Sequence, residues 1–309
     1  MSTFESRKKS RELNEKLIKL ALISAAAISI LTTFGILFSI LFEAIEFFKL
    51  RSFWYFITGT TWSPGVIGSQ FGALPIFAGT FVITIIALGV AIPIGLGSAI
   101  YMSEYASPKV RDYLKPLLEI LAGIPSVVYG FFAAITVAPL VVKAAEMVGL
   151  EATFNSALAS GIVMGIMIIP TISSLSDDVI RAVPDSQRKA AFGLGMTHGE
   201  TIKDIVLPSA MPGIISASLL ALSKALGETM VVVMAAGLRP NLSWNPLEDM
   251  TTVTVTIVNA LVGDFEFSSP ETLSAFALGL VLFVVTLILN MISLSLIRKF
   301  KEKYKVNTL

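Results

Sequence analysis

The chain has 309 residues, 54% of them hydrophobic and 15% charged, with a mean hydropathy of +0.80. A soluble globular chain carries roughly a quarter charged residues, so this composition excludes that class and leaves a multispan membrane protein. A net charge of +1 offers no bulk attraction for nucleic acid, the absence of cysteine removes disulfides, thiolate catalysis and cysteine metal sites, and one histidine cannot build an imidazole cluster.

Residues 1–19 read as a polar, basic N-terminal segment. Leu20 to Phe42 is uncharged throughout, longer than the roughly 7–15 residues of a signal-peptide core. It is long enough to cross about 30 Å of hydrocarbon and reads as a retained first transmembrane helix. Residues 43–71 follow as an external loop. Its stretch WYFITGTTWSPGVIGSQFG, rich in Gly, Thr and Trp, suits an interface with aromatic anchors. A five-helix core is expected over 72–297, its first span running from Gly72 to about Ser103. Residues 120–142 and 152–176 give spans three and four, 209–238 span five and 272–297 span six, with a tail over 298–309. The predicted fold class is therefore all-α and polytopic, with six transmembrane helices.

Basic residues set the orientation. Six fall in the first 19 residues, three in 104–116, four in 177–208 and five after Ile297. The opposite loops hold only Lys49, Arg51, Lys143 and Arg239. Both termini and the 177–208 segment are thus expected on the cytoplasmic side. Ala157, Gly161 and Gly165 repeat at four-residue spacing and allow close helix approach, a packing signal without functional weight. Pro93, Pro125, Pro139 and Pro170 fall within or beside spans, where membrane helices tolerate proline.

The segment 184–208 breaks the apolar pattern. Pro184 at a first helical position, followed by Asp185, opens one short helix, and Gly195 closes it. Thr197 with Glu200 three residues on forms a capping box for a second helix. That helix ends near Pro208 and leads into span five. The unit is a helix-turn-helix, and ordered loops of this length are usually functional. Its small residues Ala190, Ala191, Gly193 and Gly195 give a surface another protein can approach.

Within span five, Lys224 and Glu228 stand four residues apart and on a continuous helix share one face. Each charge at a helix centre costs about 2.5–3.5 kcal/mol on insertion scales, and mutual neutralisation reduces that penalty. Two readings stay open: a pair that only holds helices together, and a functional pair. No G-x-x-x-x-G-K-[ST] phosphate loop occurs, so ATP hydrolysis is not expected of this chain.

The spacing Ala190-Ala191, Gly195, then Ile205-Val206-Leu207-Pro208 resembles the EAA motif of ABC-importer permeases, with Lys189 where that family usually has glutamate. GALPIFAGTFVIT (72–84), LGSAIYMSEYASP (96–108), LAGIPSVVYGFF (121–132), ALGETMVVVMAAG (225–237) and the FITGTTWSPG loop (56–65) resemble phosphate-specific permeases of the PstC type. The resemblance implies a type I ABC-importer permease fold in a prokaryotic plasma (inner) membrane, with no catalysis of its own and no directly bound cofactor. It also implies that Lys189, Ala190, Ala191, Gly195, Ile205, Leu207 and Pro208 couple to a dimer of ATPase subunits that uses ATP and Mg. A second permease of the PstA type and an extracytoplasmic phosphate-binding protein would complete the complex. Lys224, where related permeases usually carry arginine, and Glu228 would then serve the anion path, with Thr229 and Ser126 as further donors. Molybdate or sulfate as cargo remains an alternative, as does, more distantly, an autonomous ion-coupled transporter.

Overall fold

The computed structural model describes residues 2–65, 68–263 and 266–303, with side chains described over 14–65, 68–263 and 266–299. Part of the tail expected over 298–309 therefore lies outside the described residues. Six described helices are long and apolar enough to cross a membrane: Asn14–Leu50, Leu74–Tyr105, Ser126–Met147, Ala157–Arg181, His198–Leu226 and Pro270–Lys299.

Helix α1 (Ser2–Leu50) runs past Phe42 into the expected external loop. Glu43, Glu46 and Lys49 do not end it, because straight-chain charged residues are good helix formers and Glu46 pairs with Lys49 one turn on. The expected loop is structured. It holds α2 (Phe53–Thr58) and a short antiparallel hairpin, β1 (Trp62–Ser63) with β2 (Gln70–Phe71), in which Trp62 pairs with Phe71. Phe47, Phe56, Trp62 and Phe71 bury together, with edge-to-face ring centroids 5.3 Å apart for Phe47–Phe56 and 5.5 Å for Trp62–Phe71. Trp54 stays 74% exposed, as an interfacial anchor requires.

Helix α3 (Leu74–Ile100) continues through a π-helical turn, Tyr101–Tyr105, and stops at Ala106. Ser107 caps the amphipathic α4 (Pro108–Ala122). Span three therefore does not begin at 120, as expected. Residues 120–122 finish α4, Gly123 to Pro125 break the chain, and α5 (Ser126–Phe132), a π turn (Ala133–Val137) and α6 (Ala138–Met147) make the crossing. Helix α7 (Ala157–Arg181) is the fourth span, displaced towards the C-terminus from 152–176. Ser156 starts it by accepting the Ala159 N–H at 3.2 Å, and Asp177 remains helical because Arg111 of α4 meets its carboxylate at 2.7 Å.

Helices α3 and α7 form the centre of the bundle, and glycines let them touch. A Cβ at Gly165 would lie 2.8 Å from the Ala87 carbonyl oxygen, and one at Gly161 2.7 Å from Ile86. The small-residue repeat read in the sequence is this seam. After it come α8 (Asp185–Gly193), α9 (His198–Thr201), a π turn (Ile202–Val206) and α10 (Leu207–Leu226). The last elements are α11 (Met230–Ala235), α12 (Val253–Val262) and α13 (Pro270–Lys303). Pro184 is the N-cap of α8 rather than its first helical residue. The second helix of the helix-turn-helix does not end at Pro208. The π turn carries it onward, because the Leu207 N–H reaches back to the Ile202 carbonyl, and wider coils of this kind make room for a proline ring.

Candidate functional site

Two regions carry the chemistry: the helix-turn-helix over 185–201 and the chain break that follows α10. In the first, Gly195 adopts φ of +84°, where a side chain is disfavoured, and the Met196 N–H closes back on the Ala191 carbonyl at 3.1 Å. The capping box forms as read. The Thr197 N–H donates to Glu200 Oε2 at 2.7 Å, while the Glu200 N–H reaches Thr197 Oγ1 at 3.4 Å. Lys189, Ala190, Gly193 and Gly195 lie on the open surface, and a Cβ at Gly193 or Gly195 would meet nothing within 4 Å.

Ala191 is different. It is buried against its own chain at 3% exposure, so it seats α8 rather than presenting a docking surface. Leu207 likewise packs with Val206, Ala210 and Ile180 in an internal cluster, while Ile205 and Pro208 are half-buried in and beside the π turn. The open apolar residues at the tip are ones the sequence reading passed over: Leu194, 84% exposed, and beside it Phe192.

What holds α8 down was also missed. Arg188 Nη2 meets Glu104 Oε1 at 2.8 Å and the Ile180 carbonyl at 3.0 Å, and its Nη1 bonds the Val183 carbonyl. His198 Nε2 stands 3.9 Å from Glu104 Oε2, its ring edge-to-face with Tyr105 at 5.1 Å. Behind this group, Arg111 and Lys115 of α4 engage the fully buried Asp177 at 2.7 and 3.9 Å.

The second region overturns the shared-face reading of Lys224 and Glu228. Helix α10 ends at Leu226, Gly227 leaves the helix, and Glu228 lies beyond the break. The salt bridges of the described residues include neither side chain. Glu228 instead caps α11. Its Oε1 accepts the Met230 N–H at 3.0 Å and the Val231 N–H at 3.3 Å, and its carbonyl accepts from Thr254 Oγ1 at 2.7 Å. Thr229 is the N-cap by backbone position but makes no side-chain capping bond. Ser126 is the first residue of α5, which packs on α11 where a Cβ at Gly130 would stand 3.1 Å from the Met230 carbonyl oxygen.

Lys224 is exposed on α10 and shares its open face with Leu220, Ser216 and Ser209. The open faces of α1 and α13 carry hydroxyls too, such as Thr33 and Ser295, among Leu31, Phe34, Leu287 and Met291, so the cation is what sets the α10 face apart. A cation inside a membrane span is unsuited to lipid and suits a polar cavity.

Residues 91–303 match the family described as "Binding-protein-dependent transport system inner membrane component". The chain is 31% identical over 303 residues to the probable ABC transporter permease protein YqgH of Bacillus subtilis (strain 168), covering 97% of this chain and 95% of that protein. It is 34% identical over 287 residues to the phosphate transport system permease protein PstC of Mesorhizobium japonicum, with 86% and 84% covered. Among solved structures, a bacterial alginate ABC transporter with its pentasaccharide-bound periplasmic protein aligns with TM-score 0.59 at 16% identity, over 88% of this chain and 92% of that one. The MetNI methionine ABC transporter in an inward-facing form aligns with TM-score 0.53 at 14% identity, over 72% and 93%. At those identities the structural likeness concerns the fold alone, which is that of the type I ABC-importer permeases. On the family match and the near full-length relatives together, the chain belongs to the binding-protein-dependent transport system inner membrane components, the permeases of ABC transporters.

Proposed function

We propose that the chain is the phosphate-specific permease subunit of an ATP-driven importer, forming half of a path completed by a second permease of the PstA type. The observation that carries this reading is the position of Lys224, a cation on an open face of a membrane helix, in a chain similar along most of its length to a phosphate permease. Intramembrane charges face a bundle interior or a water-filled cavity. Here that interior is open in the single chain, which calls for another subunit to close it. An anion leaving water must exchange its hydration for donors, and an ammonium offers three.

The rest of the complex follows from the same reading. The surface of Lys189, Ala190, Gly193, Leu194 and Gly195 docks on an ATPase subunit, one of a pair that supplies the hydrolysis of ATP with Mg. A phosphate-binding protein delivers cargo on the opposite face. The excess of basic residues in 177–208 and at both ends of the chain supports a cytoplasmic docking surface with both termini on the same side, and on this reading the hydrolysis belongs to the partner subunit.

The test is uptake of inorganic phosphate, normalised to assembled complex. Lys224→Gln is expected to reduce uptake at least tenfold with assembly unchanged, while Lys224→Arg retains most of it because the charge is kept. Normal phosphate flux in Lys224→Gln overturns the path assignment. Uptake of sulfate or molybdate that phosphate does not compete away overturns the cargo.

A further inference from the structure

Glu104 lies in the π turn that ends span two, far in sequence from the helix-turn-helix, yet its carboxylate reaches both of that unit's helices. One oxygen takes Arg188 of α8 at 2.8 Å, and the other faces His198 of α9 at 3.9 Å. The Glu104 side chain is 6% exposed and that of Arg188 15%, so the pair is shielded from solvent. Arg188 also bonds the Ile180 and Val183 carbonyls, at the end of α7 and just beyond it, and the exposed Asp185 carboxylate of its own helix at 3.3 Å. Four segments therefore meet at the Glu104–Arg188 pair: the end of α3 and both short helices at the carboxylate, and the end of α7 at the guanidinium. The π turn gives the reach. Its Ala106 N–H bonds the Tyr101 carbonyl, a wide coil that displaces the Glu104 side chain from ordinary α-helical register, and it sets the Tyr105 ring against His198 at 5.1 Å.

We propose that Glu104 is a positioning residue that fastens both helices of the docking unit to span two, so that a displacement of the docked unit is passed directly to α3. This rests on the docking reading given under Proposed function. The open surface of α8 and α9 makes the contact with the ATPase; Glu104 touches no partner and acts through Arg188 and His198. A shielded ion pair suits such a joint. Without Glu104 the shielded Arg188 keeps as counter-charge only the exposed Asp185 carboxylate of its own helix, which ties it to no other segment. Without Arg188 the Glu104 charge is buried with only His198 facing it at 3.9 Å. Span two is also the helix most closely packed on α7, through Gly95, Gly161 and Gly165, so a movement delivered to its end is carried into the centre of the bundle.

The experiment uses the complex purified with its ATPase and binding-protein subunits, reading three quantities: ATPase subunit retained, the ratio of binding-protein-stimulated to basal hydrolysis, and phosphate imported per ATP. Glu104→Gln is expected to retain the ATPase while lowering the stimulation ratio and the phosphate imported per ATP at least fivefold. Glu104→Asp, which keeps the charge on a shorter arm, should fall between Glu104→Gln and the unaltered chain. Because the effect runs through Arg188, the double variant Glu104→Gln/Arg188→Gln should be no worse than the poorer single one, whereas independent contributions to folding would multiply. The proposal is overturned by an unchanged stimulation ratio in Glu104→Gln, by uptake that falls only in proportion to assembled complex in both Glu104 variants, or by multiplying effects in the double variant. Ala190→Glu, on the open surface, separates this from the docking reading. If Ala190→Glu releases the ATPase while Glu104→Gln changes nothing, only the joint fails; if Ala190→Glu retains both ATPase and stimulation, the docking surface itself is wrong.

Discussion

Glu228 separates two accounts of an acid beside a break in a membrane helix. As a charge partner of Lys224 it would matter for its negative charge. As the cap of α11 it matters for an oxygen that accepts two backbone N–H groups, at 3.0 and 3.3 Å. Replacing a capping side chain by alanine costs about 0.5–2 kcal/mol, and this half-buried carboxylate replaces water that would reach the same donors only in part. Taking about 1.4 kcal/mol, Glu228→Ala should raise the open population of the first turn of α11 roughly tenfold. Glu228→Gln keeps a carbonyl oxygen in place and should raise it only two- to threefold. Hydrogen exchange of the peptide covering 228–234, with the complex in lipid discs, reads this directly, and phosphate uptake is followed in parallel. The capping account requires Gln to resemble the native chain in both measurements. If exchange is unaltered in Glu228→Ala, or if Gln is as defective in uptake as Ala, the cap is not what the carboxylate is for.

Cysteines placed singly at Glu200 and Glu248, in a chain with no native cysteine, should react with a membrane-impermeant thiol reagent from opposite sides, Glu200→Cys from the cytoplasm only; labelling on reversed sides refutes the orientation. Glu248 accepts from Asn241 Nδ2 at 2.7 Å and Asn245 Nδ2 at 3.1 Å, and the Asn241 bond, then those of Ser243 and Asn245, hold its carboxyl below the ordinary glutamate value. A depressed folded value means that its contribution to loop order is complete above the ordinary range near pH 4.3 and is lost as pH falls through the lowered value. Fluorescence of Trp244, in a chain whose other tryptophans are replaced by phenylalanine, should hold steady from neutral pH to about 4.3 and shift only below, with no such shift in Glu248→Gln.

The elements legible in the sequence were those that depend on neighbours in the chain. Six apolar stretches, the Thr197–Glu200 box and the Gly195 turn can each be read from a few adjacent residues, and all three features form. Boundaries went astray where charge was taken as the end of a span. Lys49, Lys143, Asp177 and Arg181 sit inside helices, since a charge at a helix end can snorkel or find a partner such as Arg111. The break at Gly227 left no comparable mark, because glycine is frequent within membrane helices. Glu228 could be recognised as a cap only once that break was known. Ala190 and Ala191 look equivalent in the sequence, and only the packing of α8 puts one outside and the other in. Glu104 and Arg188 are 84 positions apart, a separation over which no periodicity or spacing speaks.

The break also changes what the two charges can do together. From His198 to Leu226 the chain is one continuous helical rod, α9 passing through its π turn into α10, with Pro208 absorbed rather than ending it. At about 1.5 Å per residue, Lys224 lies roughly 39 Å along that rod from the capping box. A rotation or tilt at the docking unit therefore reaches Lys224 with no loop in between to absorb it. Glu228 stands just beyond the break: its N–H still bonds the Ala225 carbonyl of α10 at 3.3 Å, while its side chain caps α11 and its carbonyl accepts from Thr254 of α12. Two charges on one helical face would have kept a fixed separation in every state of the transporter. Placed on either side of Gly227, the two side chains are held by different elements, Lys224 by α10 and the Glu228 carboxylate by α11, which agrees with a cap whose oxygen rather than whose charge matters.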